Sequence, residues 1–585
     1  MDNNRCFIEQ LAVLKESSKE AVESTSGFSD FKKYMHVERT VQKELEALID
    51  HSVHCNNSQL ILVCGSVGDG KSHILSYFKE NKPEIMEQFE LHNDATASYY
   101  KNKSSMDTLN EVLAGFSDEN IETSEDKVIL AINLGTLNNF IESEYQYRFT
   151  KLKAYVEKHK ILEDKILHIS DGPNEQFHYI NFSDYHLYTL EDGRAKSDYI
   201  KQILEKITMQ DNSNCFYSEY SGLCNNCENS SICPIKANYE MLSNSVITRQ
   251  LIQKLIEAVV KSKILISTRA LFNFIYEILV DKSQIDTGSV SPRQCITNMN
   301  VKEYTNALLP NLLYEHPSLS EIFNAITRLD PLNARDERLD EFVIDYLNSN
   351  KVMEIYNSYL PMMSKYLTVV ENIDFTEAAY SDTKKALLKL FIRSYNLCEC
   401  DQLFKIEDDY YQKYIYYLYY WNKGNKKELK ELYTIVKEGA LSWNGECNEN
   451  EIAIYLGKVQ NQFLIKQRVD IKRSVSNLEE LEDMELFKFM SNIELKFKND
   501  QFNKNLDVEI DINLFKLLID VCQGYRPNKK DKNLYIKFND FINQIESVGS
   551  QRETLIFKEK NRKLAKSYKL EFDHEEEEFL FKEIQ

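Results

Sequence analysis

Glycine and proline are scarce in this chain, 16 and 9 among 585 residues. So few turn-formers exclude a collagen-like or low-complexity protein and favour long helices and large cores. No window approaches the roughly 18 consecutive apolar residues needed to cross a bilayer as a helix. The opening MDNNRCFIEQ lacks a basic start followed by an apolar stretch, so no secretion signal is expected. Positive charge is also in deficit: 71 Lys and Arg against 92 Asp and Glu leave a net charge of −21. Phosphate neutralisation drives non-specific DNA binding, so contact with nucleic acid would need a local basic patch or a partner. The 12 cysteines are scattered apart from one cluster, which fits a reducing, cytoplasmic setting with mostly free thiols.

What is present reads as an ordinary folded protein, 43% hydrophobic and 28% charged, long enough for two to four domains. Residues 28–53 place Phe31, Tyr34, Val37, Val41, Leu45 and Leu48 at helical spacing. Four apolar runs read as strands: QLILVC (59–64), FELHND (89–94), KVILAIN (127–133) and KSKILIST (261–268). Helical patterns alternate with them, among them one long helix from 134 to about 159 and RALFNFIYEIL (269–279), which predicts a parallel sheet covered on both faces. The expected fold is therefore an α/β P-loop NTPase domain, AAA/ASCE-like, over residues 59–290, after a helical lead-in at 1–58. A Cys-rich insertion is expected at about 165–240, a helical domain at 291–484, including DDYYQKYIYYLYYW (408–421), and a small α+β domain at 485–585.

The sharpest motif is GSVGDGKS (65–72), a full match to G-x-x-x-x-G-K-[ST]. Gly65, Gly68 and Gly70 permit the partly left-handed backbone that turns successive N–H groups, from Ser66, Val67 and Asp69 among others, toward phosphate oxygens. Lys71 is expected to reach the β- and γ-phosphates of ATP and Ser72 to ligate Mg²⁺. Hydrolysis needs an acid at a neighbouring strand tip, yet the third run ends in Asn133. Asp94, Glu142 and Glu144 are the substitutes, each set against the more ordinary reading of a capping or solvated carboxylate. Thr268 and Arg269, at the end of the fourth run, are placed to sense nucleotide or simply to open a helix. Arg335 and Arg338 would be finger or sensor arginines, against a solvated helix end.

Cys215, Cys224, Cys227 and Cys233 form C-x₈-C-x₂-C-x₅-C, with Pro234 following. Four thiols so spaced suit a tetrahedral structural zinc ion; an iron–sulfur cluster and four unrelated thiols are the alternatives.

Several segments together resemble the DNA phosphorothioation-dependent restriction protein family DptF, also called DndF. They are QLILVCGSVGDGKSHILSYF, LHNDATAS, VILAINLGTLNNFIESEY, CNNCENSSICPIKANYEML, ILISTRALFNFI and LDPLNARDERLDEF, between about 59 and 342. The resemblance implies a bacterial defence role beside DptG and DptH, restricting DNA that lacks phosphorothioate while modified host DNA is spared. The 65–72 loop would be the family's nucleotide site. Two functions follow as expectations: an ATP-hydrolysing subunit of that complex, or a nucleotide-dependent switch or scaffold with little hydrolysis. The basic tail stretches RPNKKDK (526–532) and KEKNRKLAKSYK (558–569) would touch phosphates or merely be solvated. No paired carboxylates with a nearby lysine mark the tail as a nuclease.

Overall fold

The structure is a computed structural model, and it describes residues 5–15, 30–66, 68–93, 104–163, 175–285, 290–406, 408–445, 447, 450–454, 462–476, 478, 481, 485–499, 504–549, 554–560 and 566–584. The chain forms two compact units, one of Met1–Thr189 with Lys196–Glu407 and one of Leu190–Ala195 with Asp408–Gln585.

The first unit is built on four strands: β1 (Gln59–Cys64), β2 (Glu90–His92), β3 (Lys127–Ile132) and β4 (Phe177–Asn181). They pair in the order β2-β3-β1-β4, and every pairing is parallel. All six residues of β1 are buried, as expected of a central strand covered on both faces. Side chains alternate across the sheet, so each strand feeds two cores. On one face Leu60, Leu62 and Cys64 pack with Leu109, Leu137, Phe140 and Leu152 from the following helices. On the other, Ile61 and Val63 meet Val41, Leu45 and Ile49 of the Thr40–Val53 helix, and Ile74, Leu75 and Phe78 of the Lys71–Asn81 helix. Truncating one such residue, Leu62→Ala, costs about 2–5 kcal/mol by lost transfer energy plus the cavity left behind.

Several expectations need correction. Residues 261–268 are not a strand: Lys263 turns left-handed at φ 53°, residues 264–267 run on without a ladder partner among the described residues, and Leu265 is 73% exposed. The strand beside β1 is instead FHYIN at 177–181, inside the stretch read as an insertion. Its buried His178 is satisfied by the Gln59 side chain, Nε2 to Oε1 at 2.9 Å. β1 also pairs directly with β3, so no strand lies between the loop strand and the strand that Asn133 follows. The long helix expected from 134 to about 159 breaks into Leu134–Ile141 and Thr150–Lys158.

The remainder of this unit is mostly helical, apart from residues of the strand Tyr185–Glu191. Arg393 on the Ser381–Leu397 helix is 3% exposed and its guanidinium is held by Asp330 Oδ2 at 2.5 Å, Glu315 Oε1 at 2.7 Å and Asn311 Oδ1 at 2.9 Å. Removing one partner of such a buried pair typically costs about 3–5 kcal/mol. Among the described residues no helix is long and apolar enough to cross a membrane.

The second unit mixes helices with several sheets, two of them antiparallel and built wholly from its own residues. Strand Ile493–Asn499 lies between Lys504–Ile510 and Lys472–Ser474. A five-stranded sheet runs Glu578–Ile584, Ser567–Asp573, Thr554–Glu559, Phe463–Arg468, Glu451–Ala453. The tyrosine-dense helix, Asp409–Asn422, groups with this unit, and its Tyr414 hydroxyl donates to the Ile510 carbonyl at 3.2 Å.

Candidate functional site

The glycine loop leaves the C-terminal end of β1 and enters the Lys71–Asn81 helix. Gly70 is that helix's N-cap in the left-handed region, φ 94°. Crowding dictates the other two glycines. A Cβ on Gly65 would stand 2.9 Å from Asp69 Oδ2 and 3.0 Å from Phe182 Cβ, and one on Gly68 would stand 3.1 Å from Ser267 Cβ. With φ of 145° and 93°, neither position suits an L side chain. The apolar stripe Ile74, Leu75, Phe78 fixes the helix on the sheet, so its N-terminus is aimed by the core.

Inside the loop, Ser66 N–H donates to Asp69 Oδ2 at 2.6 Å. Burial raises the Asp69 carboxyl above its ordinary range, against the opposing pull of that N–H, Lys71 and Arg39. Lys71 lies back along the loop, its Nζ donating to the carbonyls of Gly65 at 2.8 Å and Ser66 at 2.7 Å. Ser72 follows in the first helical turn. Val67 lies outside the described residues. Cys64, fully buried at the end of β1, is pushed up to about 12 by burial and is an unreactive thiol.

Sequence reasoning missed three groups around this loop. Arg39, the N-cap residue of the Thr40–Val53 helix, donates from Nη1 to the Asp69 carbonyl at 2.9 Å, and its guanidinium lies 5.4 Å from the Tyr199 ring centroid. Asp184, just past β4, accepts from Asn181 Nδ2 at 2.8 Å, and its charge reaches the Cys64 thiol beside the loop. His36 and His73 meet at 3.0 Å (Nδ1 to Nε2), with His36 stacked on Tyr77 at 4.0 Å. Burial, and the neighbouring His36, Lys32 and Arg39 charges, lower His73 to about 4. Arg39, His36 and Asp184 carry no local signal because they belong to segments far from the loop in sequence, and His73, next to the loop, is marked only by its partner His36.

The expected catalytic and sensor residues are dispersed. Asn133 is a helix cap: its Oδ1 accepts from Thr136 N–H at 2.7 Å. Asp94 lies outside the described residues. Glu142 caps the C-terminal end of the Leu134–Ile141 helix, about 12 Å along the axis from the strand tip, and pairs with Lys153 at 2.7 Å. Glu144 is exposed beyond it. The segment around Ser267 does reach the loop, as the Gly68 crowding shows. Ser267 caps the Thr268–Leu279 helix, Thr268 Oγ1 meets Tyr199 Oη at 2.9 Å, and Arg269 Nε is buried without a hydrogen-bond partner among the described residues. Arg335 and Arg338 are exposed, Arg338 in the first turn of the Glu337–Asn348 helix.

The cysteines divide unexpectedly. Cys215 opens the Cys215–Cys224 helix, and its thiol neighbours Gln10 and Glu219. Cys224, Cys227 and Cys233 instead line a cavity of about 20 Å³ together with Cys6, from which Cys215 is absent. Burial raises the thiols of Cys6, Cys224 and Cys233, Cys233 up to about 12, and the other cluster cysteines add to each shift. Among the described residues no group of three or more His, Cys, Asp or Glu side chains stands at metal-ligating spacing, so the expected Cys215, Cys224, Cys227, Cys233 set is not assembled.

Comparison with known protein families, curated proteins and solved structures finds no match to this chain.

Proposed function

We propose that this chain binds ATP with Mg²⁺ at residues 65–72 and serves as the nucleotide-dependent subunit of a DNA restriction complex of the DptF type, acting with DptG and DptH on DNA lacking phosphorothioate. The observation that carries the nucleotide reading is a glycine loop, crowded at Gly65 and Gly68, between a buried central parallel strand and a helix N-terminus. Backbone N–H groups at the loop and the helix start would hold phosphate oxygens. Lys71 would exchange two neutral carbonyl acceptors for charged oxygens, a stronger bond. Ser72 would hold Mg²⁺ through its hydroxyl. Arg39 braces the loop from behind through the Asp69 carbonyl. The restriction pathway itself rests on the segment resemblance alone. With a net charge of −21, contact with DNA is assigned to the assembled complex.

A second reading, a switch or scaffold with little turnover, is favoured by Asn133. At the tip of β3 stands a capping amide, where a Mg²⁺-binding carboxylate is usual for hydrolysis. Asp184 at the tip of β4 is the acid nearest in kind to the missing group. Phosphate release by wild type and Lys71→Ala, alone and with partner subunits, with unmodified and phosphorothioated DNA, separates the two. Lys71-dependent turnover supports the motor; nucleotide binding without turnover under every condition leaves the switch. Normal restriction in cells carrying Lys71→Ala eliminates both.

A further inference from the structure

We propose that Cys6, Cys224, Cys227 and Cys233 form a four-thiolate site for one tetrahedral divalent ion of the zinc class, and that Cys215 is not among its ligands. The four cysteines line one cavity, although Cys6 lies far from the other three in sequence. Cys224 and Cys227 sit on consecutive tight turns: Cys227 N–H donates to the Cys224 carbonyl at 3.4 Å and Ser230 N–H to the Cys227 carbonyl at 3.0 Å. Such turns bring the two thiols of a C-x₂-C pair onto one ion. Cys233 precedes Pro234 at the start of the Pro234–Leu242 helix, with the backbone N–H groups of Ile235 and Lys236 near its sulfur.

The segment bearing Cys6 is anchored from both sides. Phe7 packs edge-on against Tyr220 at 5.8 Å and Tyr239 at 5.0 Å, Arg5 pairs with Glu219 at 3.6 Å, and Arg293 Nη2 donates to the Arg5 carbonyl at 2.7 Å. Cys6 is thus held at the cavity by contacts that owe nothing to a ligand. Charge fits as well. Four thiolates around a dication carry two excess negative charges, and Arg5, Lys236 and Arg293 line the same cavity.

Size decides between metals. About 20 Å³ accommodates one water-sized body, which suits a single ion better than a four-iron cubane. Among the described residues the thiols are not grouped at metal-ligating spacing, so ion binding requires these side chains to turn inward; one χ1 rotamer change moves a sulfur by roughly 3 Å. Ligand binding would then lock the N-terminal segment onto the Cys215–Cys224 and Pro234–Leu242 helices.

The test is metal content of the full chain purified under reducing conditions and reconstituted with zinc. About one zinc per chain is expected in wild type and in Cys215→Ser, with loss in Cys6→Ser and Cys227→Ser. Cobalt substitution guards against misfolded variants: the sulfur-to-cobalt charge-transfer intensity of the wild type should report four thiolates, Cys215→Ser should keep all four, and Cys6→His should keep the metal with three. Zinc retained in Cys6→Ser, zinc lost in Cys215→Ser, no zinc in reconstituted wild type, or a brown protein holding several irons per chain would each overturn the proposal.

Discussion

The glycine loop and the cysteine cluster are both small, chemically specific sites, yet they are encoded in opposite ways. The loop is contiguous: eight residues between a buried strand and a helix carry its geometry, and the surrounding core only aims it. The cysteine cavity is discontinuous: three of its thiols lie within ten residues, and the fourth arrives from the N-terminal segment, at the N-cap of a five-residue helix. A contiguous site can be disturbed without unfolding anything, whereas a discontinuous one fails when any of its carriers detaches.

This contrast can be broken in order of expected effect. Gly68→Val forces a branched side chain into φ 93° against Ser267 and should cost roughly 1–3 kcal/mol of stability together with nearly all nucleotide affinity. Denaturant unfolding and nucleotide titration check both, and metal content should stay at the wild-type level; its loss would mean the two sites are not independent. Arg39→Ala removes the brace on the Asp69 carbonyl and should weaken nucleotide binding about 5–10-fold, at a stability cost near 1 kcal/mol, by the same measurements.

A third effect is pH-dependent. His73 is held below its ordinary value of 6.5, at about 4, so the unfolded chain binds more protons between those limits. Its contribution is fully present above about 6.5 and is lost as pH falls toward 4. Thermal melts across that window should show destabilisation of the order of 1 kcal/mol that His73→Gln reduces. An identical acid limb in the variant would show that the pair at 3.0 Å is not what titrates. The smallest effect belongs to Asn133→Asp. Aspartate caps a helix as well as asparagine does, so stability should change by less than about 0.5 kcal/mol. A rise in phosphate release in that variant would locate the missing catalytic acid at the tip of β3.

Legibility followed the same division. β1 and β3 could be read because they are continuous apolar runs, and the loop because its glycines have no other use. β4 could not, since His178 and Asn181 break the apolar pattern, and partners such as Gln59 and Asp184 make their burial tolerable. The opposite error came from ILIS at 264–267, which has a strand's composition but no partner among the described residues. Periodicity reports what a segment tolerates, while pairing depends on which neighbour reaches it first. Arg39, Asp184 and Cys6 were invisible for one reason: each acts on a site assembled from another part of the chain. Cys215 drew attention by proximity in sequence, although its helix directs it to Gln10 and Glu219.

Equilibrium titration of the full-length protein with ATP and Mg²⁺, run beside Lys71→Ala, bears most directly on the central claim. Saturable wild-type binding is expected, weakened about 100-fold or more in the variant by loss of a charge-assisted contact, with the melting midpoint nearly unchanged. A well-folded wild type without affinity for ATP, ADP or GTP in the presence of magnesium, or equal affinity in wild type and Lys71→Ala, would contradict it.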